Sequence, residues 1–112
     1  MDNNQRNLTR KEELIMLSIL NLKQEAYLIA IVDHLSKVTS KTVSVTSVYF
    51  PLDRLEKLGL IEAYFGEATS VRGGRRKKIY KITEQGFVFL DEYKRISDLL
   101  WKNYLNLSSP QE

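Results

Sequence analysis

The apolar residues of this chain change their spacing twice, and those two changes constrain the fold more than any other feature. Up to Leu58 they recur at three- and four-residue steps, the repeat of helices with one buried face. Leu14, Ile15, Leu17 and Ile19 form one such set; Leu28, Ile31, Val32 and Leu35 a second; Val48, Leu52, Leu55 and Leu58 a third. Across 60–65 and 78–83 the spacing becomes alternate, as in half-buried strands. From Phe89 it returns to three and four, through Tyr93, Ile96, Leu100, Tyr104 and Leu107. The order is therefore helix, helix, helix, strand, strand, helix, an α+β class that is mostly α.

Capping residues bound these elements. Thr9-Arg10-Lys11-Glu12 is a capping box, in which hydroxyl and carboxylate each take an orphan amide, and the first helix runs from it to about Asn21. The second is expected over about Glu25 to Val38. Thr39 to Val43, β-branched and polar, is either a loop or one short strand. The third begins at the N-cap Ser44 and ends at Gly59, with Pro51 past its first turn removing one backbone bond, which should bend or loosen the helix start. Thr83-Glu84-Gln85-Gly86 caps a last helix expected from about Gly86 to Leu107.

At 112 residues there is room for one domain, with a 43% apolar content adequate for a core. No cysteine is present, which removes disulfides and thiolate metal sites. The apolar runs are too short to cross a bilayer, and the polar N-terminus MDNNQRNLTRKEE has no apolar block of a secretory signal. A soluble, cytoplasmic domain is expected.

Charge is distributed unevenly. The stretch RGGRRKKIYK at 72–81 holds Arg72, Arg75, Arg76, Lys77, Lys78 and Lys81 and no acid, so that of a net +3 the other 102 positions carry −3. One basic feature on a mildly acidic body is what docking to a polyanion requires; the plain alternative is a solvated turn. Its setting separates the two. GEATSVRGGRRK, between the strands, is too long for a tight turn and makes a protruding tip. Three helices followed by a hairpin with a basic tip form a winged helix-turn-helix, whose third helix enters the DNA major groove while the wing lies along the backbone. Cations at the tip then meet phosphates, and Gly73 and Gly74 let backbone approach them.

TSVYFPLDRLEKLGLIEAYF, followed by GGRRKKIYKITEQGFVFL, resembles the PadR family of bacterial transcriptional regulators over about Leu14 to Leu90. The residues that carry the resemblance are Tyr49, Arg54-Leu55-Glu56 with Gly59-Leu60-Ile61, and Tyr80-x-Ile82-Thr83-x-x-Gly86. The chain departs from the family pattern in three places. Phe50 intervenes between Tyr49 and Pro51, where proline usually follows the tyrosine directly; Ala26 and Thr46 stand where glycine is common. The resemblance implies a homodimeric repressor whose last helix makes the dimer, often with a small hydrophobic effector.

The DNA-contact candidates are Arg72, Arg75, Arg76 and Lys77 on the wing, Lys41 ahead of the third helix, and Thr46, Ser47, Tyr49, Phe50 and Arg54 on it. Tyr49 is as readily a buried staple, and Arg54 has Asp53 and Glu56 close by to pair with. The organisation expected is a flexible N-terminus (1–8), a winged-helix DNA-binding domain (9–86), a dimerisation helix (87–107) and a flexible tail (108–112). A last helix of about 20 residues is ~30 Å long and cannot bury its whole apolar face on so small a body. Phe89, Tyr93, Ile96, Leu100, Trp101 and Tyr104 are accordingly expected at a dimer interface, with Trp101 packing on the first helix of its own subunit as the alternative.

The single histidine, His34, has no cysteine or second histidine to make a metal site, and it reads as a surface or packing residue. No nucleophile elbow is present, and Gly73-Gly74 joins strands instead of opening a helix. No enzyme activity, cofactor or metal is expected. The partners expected are double-stranded DNA bearing an imperfect palindrome, a second copy of the chain, a small hydrophobic ligand, and no membrane. A protein–protein module of the same fold without DNA binding is the competing function.

Overall fold

Thr9 caps the first helix as its box requires. Its hydroxyl accepts the Glu12 N–H at 3.1 Å, and the Glu12 carboxylate accepts the Thr9 N–H at 2.9 Å. Helix α1 (Arg10–Leu22) follows. The computed structural model describes residues 7–66 and 76–104; Arg72, Gly73, Gly74 and Arg75 of the expected tip, and Leu107 of the expected last helix, lie outside them.

The second helix starts later than its apolar pattern predicts. Lys23–Glu25 form one turn of 3-10 helix, and the next two residues are drawn to the sheet: the Tyr80 N–H donates to the Ala26 carbonyl at 2.9 Å, and Tyr27 bridges Ile79. Helix α2 (Leu28–Thr39) begins only after this. Of the two alternatives for 39–43, the loop forms after Thr39, tied back by the Lys41 N–H to the Ser36 carbonyl and the Val43 N–H to Ser36 Oγ, each at 3.2 Å.

Helix α3 (Val45–Lys57) continues through Pro51 without interruption. Ser47 makes two bonds to Ser44, from its N–H to Oγ at 3.2 Å and from its Oγ to the carbonyl at 2.8 Å, which close the first turn, ahead of the turn in which Pro51 lacks an N–H for the Ser47 carbonyl. Gly59, at φ +80, then reverses the chain in a region that favours glycine.

Strands β1 (Ile61–Phe65) and β2 (Lys78–Ile82) pair antiparallel, from Ile61 opposite Ile82 to Phe65 opposite Lys78. Thr83 locks the base of this hairpin. Its N–H donates to the Leu60 carbonyl at 3.1 Å, its hydroxyl donates to the Gly59 carbonyl at 2.7 Å, and the same oxygen accepts the Gly86 N–H at 3.0 Å, capping α4 (Glu84–Trp101).

The core lies between the first three helices and the inner face of the hairpin. Ile15, Met16, Ile19, Ile31, Val48, Leu52, Leu55 and Leu60 are its centre, all at or near zero exposure. Leu17, expected inward, is exposed, because the buried stripe of α1 runs through Ile15, Met16 and Ile19. Only the first half of α4 joins the core, through Gly86, Leu90 and the partly buried Phe89. The rest projects. The radius of gyration is 16.8 Å, against ~13 Å for a compact domain of this length, and the longest extent is 63 Å.

Candidate nucleic-acid interface

Because Val48, Leu52 and Leu55 are committed to the core, the opposite side of α3 is fixed as its outward face. Thr46, Tyr49 and Phe50 are exposed on it, Ser47 is half-buried by its bonds to Ser44, and Lys41 is exposed just ahead of the helix. Tyr49 is therefore no buried staple. Its ring meets Phe50 edge-on, centroids 5.2 Å apart. Toward the C-terminal end of the helix, Asp53 and Lys57 pair with each other at 2.9 Å, which holds the Lys57 pKa above its usual value and keeps that end nearly neutral.

The hairpin base is fastened to this helix. Lys78 Nζ lies 3.5 Å from the Glu56 carboxylate and above the Tyr80 ring. Burial opposes the lysine's charge, but Tyr80 and Glu56 outweigh it and raise its pKa; burial chiefly raises that of Tyr80. Lys77 stands over the Tyr27 ring, 4.0 Å from its centroid. Arg76 and Lys77, two of the four described members of the basic run, are exposed just ahead of β2, at the root of the wing. The Lys78–Glu56 tie was not read from the sequence, where Lys78 counted only as one charge of the run.

Arg54 is placed differently from its expectation. Its guanidinium forms an ion pair with Glu12, 42 positions earlier, and donates to the Asn7 carbonyl at 3.3 Å. Neither Asp53 nor Glu56 is the partner in this pair. Glu12 is 4% exposed, and its carboxylate serves both this pair and the α1 cap. Arg54 thus joins α3 to the start of α1. The neighbouring residue Leu8 continues the link, its N–H donating to Tyr93 Oη of α4 at 2.7 Å.

Of the six residues expected at a subunit contact, Phe89 and Tyr93 are partly occupied by their own chain, Phe89 against the core and Tyr93 with Leu8. Ile96, Leu100, Trp101 and Tyr104 are exposed, Leu100 at 75% and Trp101 at 60%. The Trp101 and Tyr104 rings touch edge-on at 4.9 Å. Leu99, missed as a candidate, is exposed beside them, as are Leu17 and Leu20 on α1, which face α4 across a groove also lined by Phe87 and Leu90. A second hollow, of about 700 Å³, is lined by Asn7, Val88, Phe89, Tyr93 and Ile96 among others.

His34 is half-buried on α2, its Nδ1 3.0 Å from the hydroxyl of the buried Ser18. Among the described residues, no group of histidine, aspartate and glutamate is placed to hold a metal ion, and no helix is long and apolar enough to cross a membrane.

Three helices, a hairpin and a projecting fourth helix in this arrangement define a winged helix-turn-helix regulator. The profile of the transcriptional regulator PadR-like family matches residues 16–92, and the chain belongs to that family. It is similar to the crystal structure of a PadR-like transcriptional regulator from Bacillus cereus, at 29% identity and a TM-score of 0.70, covering 90% of this chain and 96% of that one. A PadR family transcription regulator from Clostridium difficile is similar at 28% identity and 0.60, covering 86% and 95%. One from Eggerthella lenta is similar at 25% and 0.64, covering 91% and 87%. No curated protein matches the sequence. The chain is thus a transcriptional regulator, of a family that is not enzymatic.

Proposed function

We propose that the chain is a homodimeric, sequence-specific double-stranded DNA-binding repressor. The observation that carries this is the pairing of an outward helix face bearing Thr46, Ser47, Tyr49 and Phe50 with a hairpin whose root exposes Arg76 and Lys77. The two are fastened in one orientation by Lys78 and Glu56. The N-terminal half of α3 meets base edges, Lys41 and the wing cations, Arg72 and Arg75 with them, meet phosphates, and Arg54 holds the helix in place. The projecting half of α4 supports a two-fold dimer. Leu99, Leu100, Trp101 and Tyr104 form an apolar patch of a kind that monomers rarely leave open, rich in the aromatic residues that interfaces favour. Such a dimer spaces its recognition helices ~34 Å apart, hence an imperfect palindrome with half-sites ~10 bp apart. A small hydrophobic effector that stacks on Trp101 where the two α4 helices cross relieves repression.

Selection of bound sequences from random duplexes, followed by titration at several salt concentrations, tests the central claim. A palindromic consensus and an affinity falling steeply with salt are expected, because each neutralised phosphate releases counterions. Absence of duplex affinity at low salt would leave the protein–protein module standing instead. Trp101 is the only tryptophan, so its fluorescence reports effector binding directly.

A further inference from the structure

Phe50 is the least explained side chain on α3. It follows Val48 by two residues, about 200° around the helix, which turns it directly away from the core that Val48, Leu52 and Leu55 enter. It is 65% exposed, and Tyr49 braces its ring from one side. As the sixth residue of α3 it lies in the half of the helix whose residues face bases in this fold. Its neighbours on the same stripe are polar: Thr46 one turn earlier, Asp53 and Lys57 after it, these two neutralising each other. A single phenyl ring is therefore presented from a polar stripe beside a strongly basic wing.

In the major groove a phenyl ring has one chemical match. Every base-pair edge there offers donors or acceptors, which a hydrocarbon can only desolvate at a cost, except for the C5-methyl group of thymine. We infer that Phe50 is a specificity-determining residue that packs on a thymine methyl in each half-site. This rests on the DNA-binding reading above and adds to it the chemical group recognised. The contact is apolar, so it sets sequence preference and contributes nothing to the salt dependence, which belongs to the wing.

The test uses the intact protein and a duplex taken from the random-sequence selection, with each thymine replaced in turn by deoxyuridine, which removes the methyl and alters no hydrogen-bonding group. One thymine in a half-site should show binding weakened about three- to five-fold, the worth of one methyl-sized apolar group taken from water. The ratio should be the same at low and moderate salt. Phe50→Ala should abolish that ratio and lower affinity for the thymine duplex only, while Phe50→Leu should retain part of it; both fold, since the site is exposed. A uracil scan that is flat at every position, with tight binding otherwise intact, overturns the inference and leaves the DNA-binding reading untouched. A thymine-to-uracil ratio unchanged in Phe50→Ala also overturns it, assigning the methyl contact to another residue. Failure to bind any duplex overturns both.

Discussion

Replacing Arg54 by methionine decides whether this side chain serves the fold or the DNA. The Glu12 carboxylate is almost out of water and divides its oxygens between the Thr9 N–H and the Arg54 guanidinium. Methionine keeps most of the apolar stem packing and removes the charge. What remains is a buried carboxylate with one oxygen unmatched. Removing one partner of a buried ion pair costs ~3–5 kcal/mol, but the Arg54 side chain is 39% exposed, so water reaches the vacated space and about 2–3 kcal/mol is the better figure. With a urea slope near ~2 kcal/mol/M, the unfolding midpoint should fall by roughly 1–1.5 M at unchanged slope, measured at fixed protein concentration because dimerisation contributes.

Two further measurements separate the explanations. Glu12→Gln combined with Arg54→Met keeps an acceptor for the Thr9 N–H and buries no charge, so the double variant should be more stable than the sum of the single losses predicts, by about 1 kcal/mol. Duplex affinity of folded Arg54→Met should keep the salt slope of the parent protein. If stability were unchanged while the slope fell by about one unit, Arg54 would be a phosphate contact, and its pairing with Glu12 would carry no weight in solution.

Alanine at Arg75, Arg76 and Lys77 should weaken binding to all duplexes alike and lower the salt slope by about one unit per lost phosphate contact; the stability cost, mainly the Lys77–Tyr27 contact, should be about 0.5–1 kcal/mol, read by urea unfolding. Trp101→Ala should raise the dimer dissociation constant in sedimentation while helical content at high concentration stays the same; a variant that remains dimeric at nanomolar concentration but melts earlier would make Trp101 a core residue. Gly86→Ala should cost about 3 kcal/mol or more by thermal melting, because a Cβ would run into the Leu60 carbonyl oxygen, which the Thr83 N–H holds in place, and come 2.7 Å from Ile82 Cγ2. Lys78 has a folded pKa above its ordinary 10.5, so its contribution is fully present below that pH and is lost as pH rises past it. Lys78→Met should therefore lower the melting temperature equally at pH 7 and pH 9, and the difference from the parent should shrink only above pH 10.5.

What the sequence discloses here is local. Thr9, Ser44 and Thr83 each cap a helix through the side chain that marked them, since a cap is decided within three residues. The outward face of α3 follows from its inward stripe, so Thr46 and Phe50 are legible as surface in the sequence. The start of α2 was not, because a one-residue bridge between Tyr27 and Ile79 has no periodicity and overrides the helical pattern running into it. Leu17 was misplaced for a related reason: four apolar residues within Leu14–Leu17 allow more than one stripe, and packing against α2 and α3 chose the one through Ile15, Met16 and Ile19.

Arg54 marks the limit of such reading most sharply. Asp53 and Glu56 are its neighbours in sequence, yet on a helix, residues one and two apart point away from each other. Two of its acceptors come from Glu12 of α1 and the Asn7 carbonyl, which only the tertiary fold brings near. The same short segment holds Tyr93 through Leu8, so Asn7 and Leu8 sit between α3 and the helix that leaves the domain. Hydrogen bonds of 2.7 and 3.3 Å thus tie Tyr93 of α4 to Leu8, and Arg54 of α3 to the adjacent Asn7. The link between α3 and the projecting helix is thus made by the two residues ahead of the first cap, a stretch in which no periodicity announces a structural role.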